Sequence, residues 1–318
     1  MPRILVVAPN WIGDVLMAQP LLARLHEKQP NLKIHVMAPE WVAPVVRRMP
    51  EVDEVIAAPF RHGALELRGR WKLGRALKLR GYDQAIVLPN AWKAALVPFF
   101  AGIALRSGYA GEARYGLLNL TYAKSSTPMR LHYARLAESP GIEPKEPLPA
   151  TRLRADAGEI AAVARRFGIE GRYAVLCPGA EYGPAKRWPY FERLAEKITL
   201  PIVLLGSAND VESCNTILGK NLAGKTTLDE AIELIAGAAL VVSNDSGLMH
   251  VAAALGRPLV ALFGSSSPEH TPPHSPAARV LWLRLECSPC FQRDCPLGHF
   301  RGMREISVEQ VLAEIRTL

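Results

Sequence analysis

The chain has 318 residues, about twice the usual single-domain length, and its 49% apolar content is enough to fill two separate cores. Its longest near-continuous apolar run, residues 94–105, contains Pro98 and Gly102 and cannot span a bilayer, and its five cysteines, three of them crowded between Cys287 and Cys295, do not suit a secreted disulfide framework. The net charge of +8 is uneven, with 21 Lys/Arg against 12 Asp/Glu in residues 1–153 and 17 against 18 in the rest, so the first half alone should attract a polyanion or an anionic membrane surface.

No signal peptide or presequence pattern opens the chain, which makes a soluble protein of a reducing cytoplasm the expectation. Short β-rich apolar runs then alternate with helical patterns, the mark of βαβ units and parallel sheets. In the first half, strands are predicted at 3–9, 33–38, 54–57 and 84–89, and helices near 14–28, 40–48 and 66–80. Pro20 should kink the first of these helices.

The strand at 3–9 runs into Asn10-Trp11-Ile12-Gly13-Asp14. Two readings of Asp14 stand: a general base at the mouth of the sheet, or an ordinary helix N-cap. Gly13 would let a substrate approach the backbone closely. Further on, Arg61, Arg68, Arg70, Lys72, Arg75, Lys78 and Arg80 cluster with Glu66 as the only nearby acid, which is either an anion-binding field or a solvated helix face. No helix-turn-helix, zinc-finger or RNA-recognition pattern accompanies the charge, so nucleic acid is not the expected partner.

A proline-rich stretch at 139–153, with Pro140, Pro144, Pro147 and Pro149, reads as a linker between an N-terminal domain, 1–153, and a C-terminal domain, 154–318. In the second half, strands are predicted at 173–178, 202–206, 240–244, 259–264 and 280–283, and helices near 190–198, 210–218, 228–237 and 247–255. Each half thus looks like a Rossmann-like sheet, whose ligands bind beyond the carboxyl ends of the strands.

Two loops at such ends stand out. Residues 178–189, Pro-Gly-Ala-Glu-Tyr-Gly-Pro-Ala-Lys-Arg-Trp-Pro, end on cations at a helix entrance, where Lys186 is either an idle surface lysine or a point charge for a diphosphate. Residues 244–250, Asn-Asp-Ser-Gly-Leu-Met-His, place Asp245 or Ser246 as the cap of a helix whose free N–H groups suit phosphate. His250 would reach the same ligand or simply be packed. The absence of a Walker lysine and of Gly-x-Gly-x-x-Gly after the first strand argues against an NTPase or a dehydrogenase. Finally, Cys287, Cys290, Cys295 and His299 have a spacing that allows a structural zinc, or else free thiols.

At these loops the sequence resembles glycosyltransferase family 9, the heptosyltransferases of lipopolysaccharide inner-core assembly, and within it the heptosyltransferase II branch. The resemblance runs nearly the whole length and is carried by Pro9-Asn10-Trp11-Ile12-Gly13-Asp14, by 49–52, 62–66, 88–90, 95–103 and 114–119, and in the second half by 177–181, Pro184-Ala185-Lys186-Arg187-Trp188-Pro189 and Asn244-Asp245-Ser246-Gly247-Leu248-Met249-His250. It implies an α/β GT-B fold, two Rossmann-like domains with parallel sheets facing a central cleft. The acceptor would lie on the first domain and the nucleotide sugar on the second.

The resemblance also implies roles. Asp14 would be the catalytic base and Lys186 would contact the donor diphosphate. Asp245, Ser246, Gly247 and His250 would line the donor pocket with Gly179, Ala180, Glu181 and Tyr182, Asp210 would hold donor hydroxyls, and Thr226 would sit by adenine. Glu181 and Tyr182 stand where the heptosyltransferase I branch has hydroxyl residues. Trp11, Gly13, Arg61 and Asn90 would face the acceptor. The implied donor is ADP-heptose and the acceptor heptosyl-Kdo2-lipid A, a polyanion that suits the basic first half. The expected protein is a monomer in peripheral contact with the cytoplasmic face of the inner membrane. The chemistry needs no cofactor, with room for Mg2+ stimulation and for the zinc noted above. The alternatives are a family 9 enzyme adding the first or a branching heptose, a sugar-nucleotide epimerase of similar fold, and a non-catalytic binder of anionic glycolipid.

Overall fold

A computed structural model describes residues 1–61, 63–124 and 127–318; His62, within the matched segment 62–66, lies outside them. The chain divides into two compact units, 1–150 and 151–318. The division falls three residues before the boundary read from the sequence, because Leu153 N–H already bonds Ala254 O inside the second unit. The proline-rich stretch is held against the first unit: Arg24 donates to Pro147 O at 2.9 Å and Arg130 to Pro149 O at 2.5 Å.

The first unit runs β1 (Arg3–Val7), α1 (Ile12–Met17), α2 (Gln19–Lys28), β2 (Lys33–Pro39), α3 (Ala43–Arg47), β3 (Glu54–Ala58), α4 (Leu67–Leu77), β4 (Gln84–Val87), α5 (Leu96–Phe100), β5 (Leu105–Tyr109), β6 (Leu120–Tyr122) and α6 (Met129–Ala134). Pro20 does not kink a long helix. The helix ends at Met17, and Pro20 sits in the first turn of α2, where its missing N–H would have had no intrahelical partner.

The second unit runs α7 (Ala157–Arg166), β7 (Ala174–Cys177), α8 (Phe191–Ala195), β8 (Ile202–Leu204), α9 (Val211–Asn215), β9 (Lys220–Asn221), α10 (Leu228–Ala236), β10 (Leu240–Asn244), α11 (Gly247–Ala254), β11 (Leu259–Phe263), β12 (Ala278–Trp282), α12 (Arg301–Arg304) and α13 (Val308–Arg316). Strands β1, β7, β10 and β11 are almost wholly buried because helices cover both faces of the sheets, which is why they read as continuous apolar runs rather than alternating ones.

Both sheets are six-stranded and parallel, in the orders β3-β2-β1-β4-β5-β6 and β12-β11-β10-β7-β8-β9. Counted within its own unit, the second order is the first read from the other edge, so the two halves share the doubly wound Rossmann topology. The first core gathers Leu5, Val7, Ala85 and Val87; the second gathers Leu176, Leu204, Val242 and Leu262 with Trp188. Burying one such side chain contributes roughly 1.5–3 kcal/mol, and a Leu→Ala change there costs about 2–5 kcal/mol.

Candidate functional site

A doubly wound sheet opens a crevice where neighbouring strands send their connections to opposite sides. In the first sheet that point lies between β1 and β4, paired through Val7 and Val87; in the second it lies between β7 and β10, paired through Cys177 and Ser243. Asp14 and Asn90 follow β1 and β4, while Gly179 and Asp245 follow β7 and β10. The principal residues singled out in the sequence therefore fall at the two switch points.

In the first unit, Trp11 occupies the N-cap position of α1 in extended conformation, with no side-chain capping bond. Asp14 is the third helical residue and does not cap, so the capping reading of Asp14 is removed. Its carboxyl is half-buried, and burial pushes its pKa up to about 6. Burial, and after it the Asp14 charge, raises the phenol of buried Tyr133 on the adjoining α6. Trp11 is exposed, and Trp41 donates from Nε1 to Asn10 O at 2.9 Å, fixing the strand-to-helix turn. Asn90 is exposed after β4, its neighbour Pro89 bonded through O to buried Arg114 at 2.7 Å. Arg61 is not at the switch point. It lies after β3, two strands away from β1, where its backbone N–H and guanidinium both meet Glu66, at 2.9 and 3.7 Å.

Of the seven clustered cations, Arg70 and Arg80 are structural. Arg70 is buried with its guanidinium 4.1 Å from the centre of the Phe60 ring and bonded to Leu65 O, and Arg80 pairs with Glu54 at 2.5 Å.

In the second unit, Lys186 and Asp245 form a largely buried ion pair, Nζ to Oδ2 2.5 Å, and the same carboxylate oxygen accepts Ser266 Oγ at 2.5 Å. The Lys186 ammonium also stands 4.9 Å over the Tyr182 ring, and the Tyr182 hydroxyl donates to Phe291 O at 2.6 Å. Ser246 holds the N-cap position of α11 without a side-chain capping bond, which leaves the first-turn N–H groups beginning at Gly247 available. His250 is buried, and burial, offset in part by Asp245, lowers its pKa to about 4, so the imidazole is neutral at pH 7.

The loop after β7 is fastened from several sides. Asn244 donates from Nδ2 to Pro178 O at 2.7 Å and accepts Trp188 N–H at 3.1 Å. Gly179 lies so close to the buried Asp210 that a Cβ there would stand 2.4 Å from the Asp210 carboxyl carbon. Asp210 itself accepts from Ser207 N–H at 2.9 Å and Ser207 Oγ at 2.7 Å, with Arg187 3.9 Å from its other oxygen. Ala180 is buried and accepts from Arg187 Nε at 3.3 Å, whereas Glu181 and Tyr182 are exposed. Thr226 is half-buried one residue before Thr227, the N-cap of α10.

Cys287, Cys290, Cys295 and His299 line one pocket with Gly264 and Met303. Cys295 Sγ is 3.8 Å from His299 Nδ1 and accepts Phe300 N–H at 3.4 Å. Among the described residues, no three His, Cys, Asp or Glu side chains are gathered as a metal ligand set, so the zinc spacing corresponds to a shared pocket rather than a formed site. What this segment does touch is the loop after β7: Ala185 N–H bonds Arg293 O at 3.0 Å, beside the Tyr182 contact with Phe291.

Sequence reasoning missed Ser266 as a partner of Asp245. The run Gly264-Ser265-Ser266-Ser267 directly after the strand at 259–263 was the available signal, since small hydroxyl residues at a strand's carboxyl end are placed to face the crevice.

The model of glycosyltransferase family 9 (heptosyltransferase) matches residues 70–301. The chain is 44% identical to lipopolysaccharide heptosyltransferase 2 of Escherichia coli K12, covering 99% of this chain and 98% of that one, and 41% identical to lipooligosaccharide heptosyltransferase 2 of Haemophilus influenzae, covering 99% of each. The solved structure of the E. coli ADP-heptose lipopolysaccharide heptosyltransferase II superposes with a TM-score of 0.89 at 42% identity, covering 99% of this chain and 98% of that one. With two parallel doubly wound sheets and relatives of this identity over its whole length, the chain is a GT-B glycosyltransferase and belongs to glycosyltransferase family 9, the heptosyltransferases.

Proposed function

We propose that the chain transfers L-glycero-D-manno-heptose from ADP-heptose to the first heptose of the lipopolysaccharide inner core, with inversion at the anomeric carbon. The observation that carries this reading is Lys186, fixed by Asp245 beside the open N-terminus of α11 at the switch point of the second sheet. A diphosphate gains there both a fixed cation and free helix amides. The ammonium has three N–H donors, so it can bond a phosphate oxygen while keeping Asp245.

The acceptor belongs to the first unit, with Trp11, Gly13 and Asn90 around Asp14 and Arg61 further out. Asp14 accepts the proton of the acceptor hydroxyl. That oxygen then attacks the anomeric carbon opposite the leaving group, and the bond from carbon to phosphate oxygen breaks with its electron pair on ADP. Lys186 and the α11 amides take up the growing negative charge, so no acid need protonate the leaving group. A base with its pKa near 6 is mostly ionised at pH 7 and still basic enough to take up a proton, a role worth about 10²–10⁴ in rate.

On this reading Asp210 and Thr226 hold the sugar and adenine ends of the donor, with Gly179, Ala180, Glu181 and Tyr182 shaping the loop between. The working form is a monomer at the cytoplasmic face of the inner membrane, with no nucleic-acid partner. Neither Mg2+ nor a zinc on the Cys287–His299 pocket has a step in the transfer. ADP release from ADP-heptose, measured with acceptor glycolipid bearing no, one or two heptoses, tests the assignment: turnover only with the one-heptose acceptor supports it, and turnover only with another acceptor moves the enzyme to a different step of the core.

A further inference from the structure

We propose that the exposed face of α4 docks the first unit onto an anionic lipid bilayer. Residues 67–80 contain four arginines and two lysines and not one acid. The helix turns Arg70, Gly74 and Leu77 inward, and at 100° per residue Arg68, Trp71, Lys72 and Arg75 fall on the opposite half of its circumference, with Leu67 and the C-cap residue Lys78 flanking the inward face. All six are exposed, and Trp71 leaves 54% of its surface in water. Leu79, on the short turn that follows, is 93% exposed.

This face belongs to a firmly seated helix. A Cβ on Gly74 would lie 2.6 Å from Phe100 Cβ, so α4 and α5 are in backbone contact. At its N-terminal end, Arg70 bonds Leu65 O at 2.6 Å and Lys93 reaches Gly63 O at 2.5 Å, placing the exposed Leu65 and Trp92 alongside. Among the described residues, Arg68, Lys72, Arg75 and Lys78 take part in no ion pair, so the field they create is not cancelled on the protein.

Cations interleaved with an indole and exposed leucines meet both demands of a membrane interface: charge for the phosphate layer, and apolar surface for the boundary beneath it. A nucleic acid would use the charge but leave Leu67, Trp71 and Leu79 in water. A lipid surface uses both.

The test needs neither donor nor acceptor, so its failure is separable from failure of the transfer reading. The full chain is sedimented with vesicles of phosphatidylglycerol and phosphatidylcholine, and with phosphatidylcholine alone. Wild type should bind the anionic vesicles, more weakly as salt rises, and not the neutral ones. Lys72→Glu/Arg75→Glu should lower the partition coefficient by about tenfold or more, and Trp71→Ser should lower it at unchanged charge, with unaltered ADP binding and thermal melts showing both variants folded. No binding by wild type, equal binding to neutral vesicles, full binding by either variant, or binding only when the vesicles carry acceptor glycolipid would each overturn the proposal.

Discussion

Lys186 Nζ stands 2.5 Å from Asp245 Oδ2, so one largely buried ion pair ties the loop leaving β7 to the loop leaving β10 at the switch point of the second sheet. Ser266 completes the carboxylate's bonding from the loop after β11. Removing the lysine leaves a buried carboxylate with a hydroxyl for company, and breaking a buried pair from one side costs about 3 kcal/mol. Lys186→Ala should therefore lower the unfolding free energy by that order in denaturant titration and weaken ADP binding as well as kcat. Loss of activity with unchanged ADP affinity and stability would remove Lys186 from both roles.

Asp14 carries the opposite trade. Its carboxyl, held up at about 6 against an ordinary 3.8, is more easily accommodated protonated in the folded state than in the unfolded one. The contribution of this group to stability is thus fullest below 3.8 and is lost as pH rises through about 6, a difference of up to about 3 kcal/mol. Asp14→Asn should be more stable than wild type at pH 8, and the two should converge near pH 3.8. If the variant is no more stable at pH 8, burial does not tax the charged form.

On the proposed mechanism the same carboxyl sets the acid limb of activity. As a base it works only when ionised, so kcat should fall as pH drops below about 6. His250 adds no limb between pH 6 and 8, since burial holds its pKa near 4. His250→Gln should leave the pH profile's shape in that range unchanged, checked by initial rates across pH.

Gly179 faces a steric limit. A methyl group there would stand 2.4 Å from the Asp210 carboxyl carbon, and Asp210 is pinned by two bonds from Ser207. Gly179→Ala should push the loop or Asp210 aside and weaken ADP-heptose binding by about tenfold or more, measured by calorimetry. Ala at the exposed helix glycine Gly69 meets only an ordinary contact, 3.4 Å from the Phe60 ring, and serves as the control, with affinity expected to be unchanged.

How far the sequence was legible depended on what each element needed from its surroundings. Strands buried on both faces announced themselves: 240–244 was read with its observed ends. The strands Leu105–Tyr109 and Leu120–Tyr122 were not read, because Arg106 and Gly108 interrupt one and three residues are too few to show a period in the other. The helix Val308–Arg316 was passed over although its capping box, Ser307 with Gln310, was visible. At the site, Asp14 was identified but not its environment. A capping aspartate and a half-buried one inside the helix look alike in sequence, and only the start of α1 two residues earlier separates them. The cation cluster likewise mixed two kinds of residue. Burial of Arg70 against Phe60 and the bond from Arg80 to Glu54 depend on contacts across the fold, which spacing along one helix cannot show.

The most direct test of the transfer mechanism is ADP release by Asp14→Asn beside wild type, with ADP-heptose and the one-heptose acceptor at pH 7.5 and ADP affinity measured in parallel. The account predicts a fall in kcat of about 10²–10⁴ with ADP affinity retained, since Asp14 belongs to the first unit and the loops proposed to hold the donor belong to the second. Near-normal turnover would contradict it and leave Asp14 without a part in proton transfer.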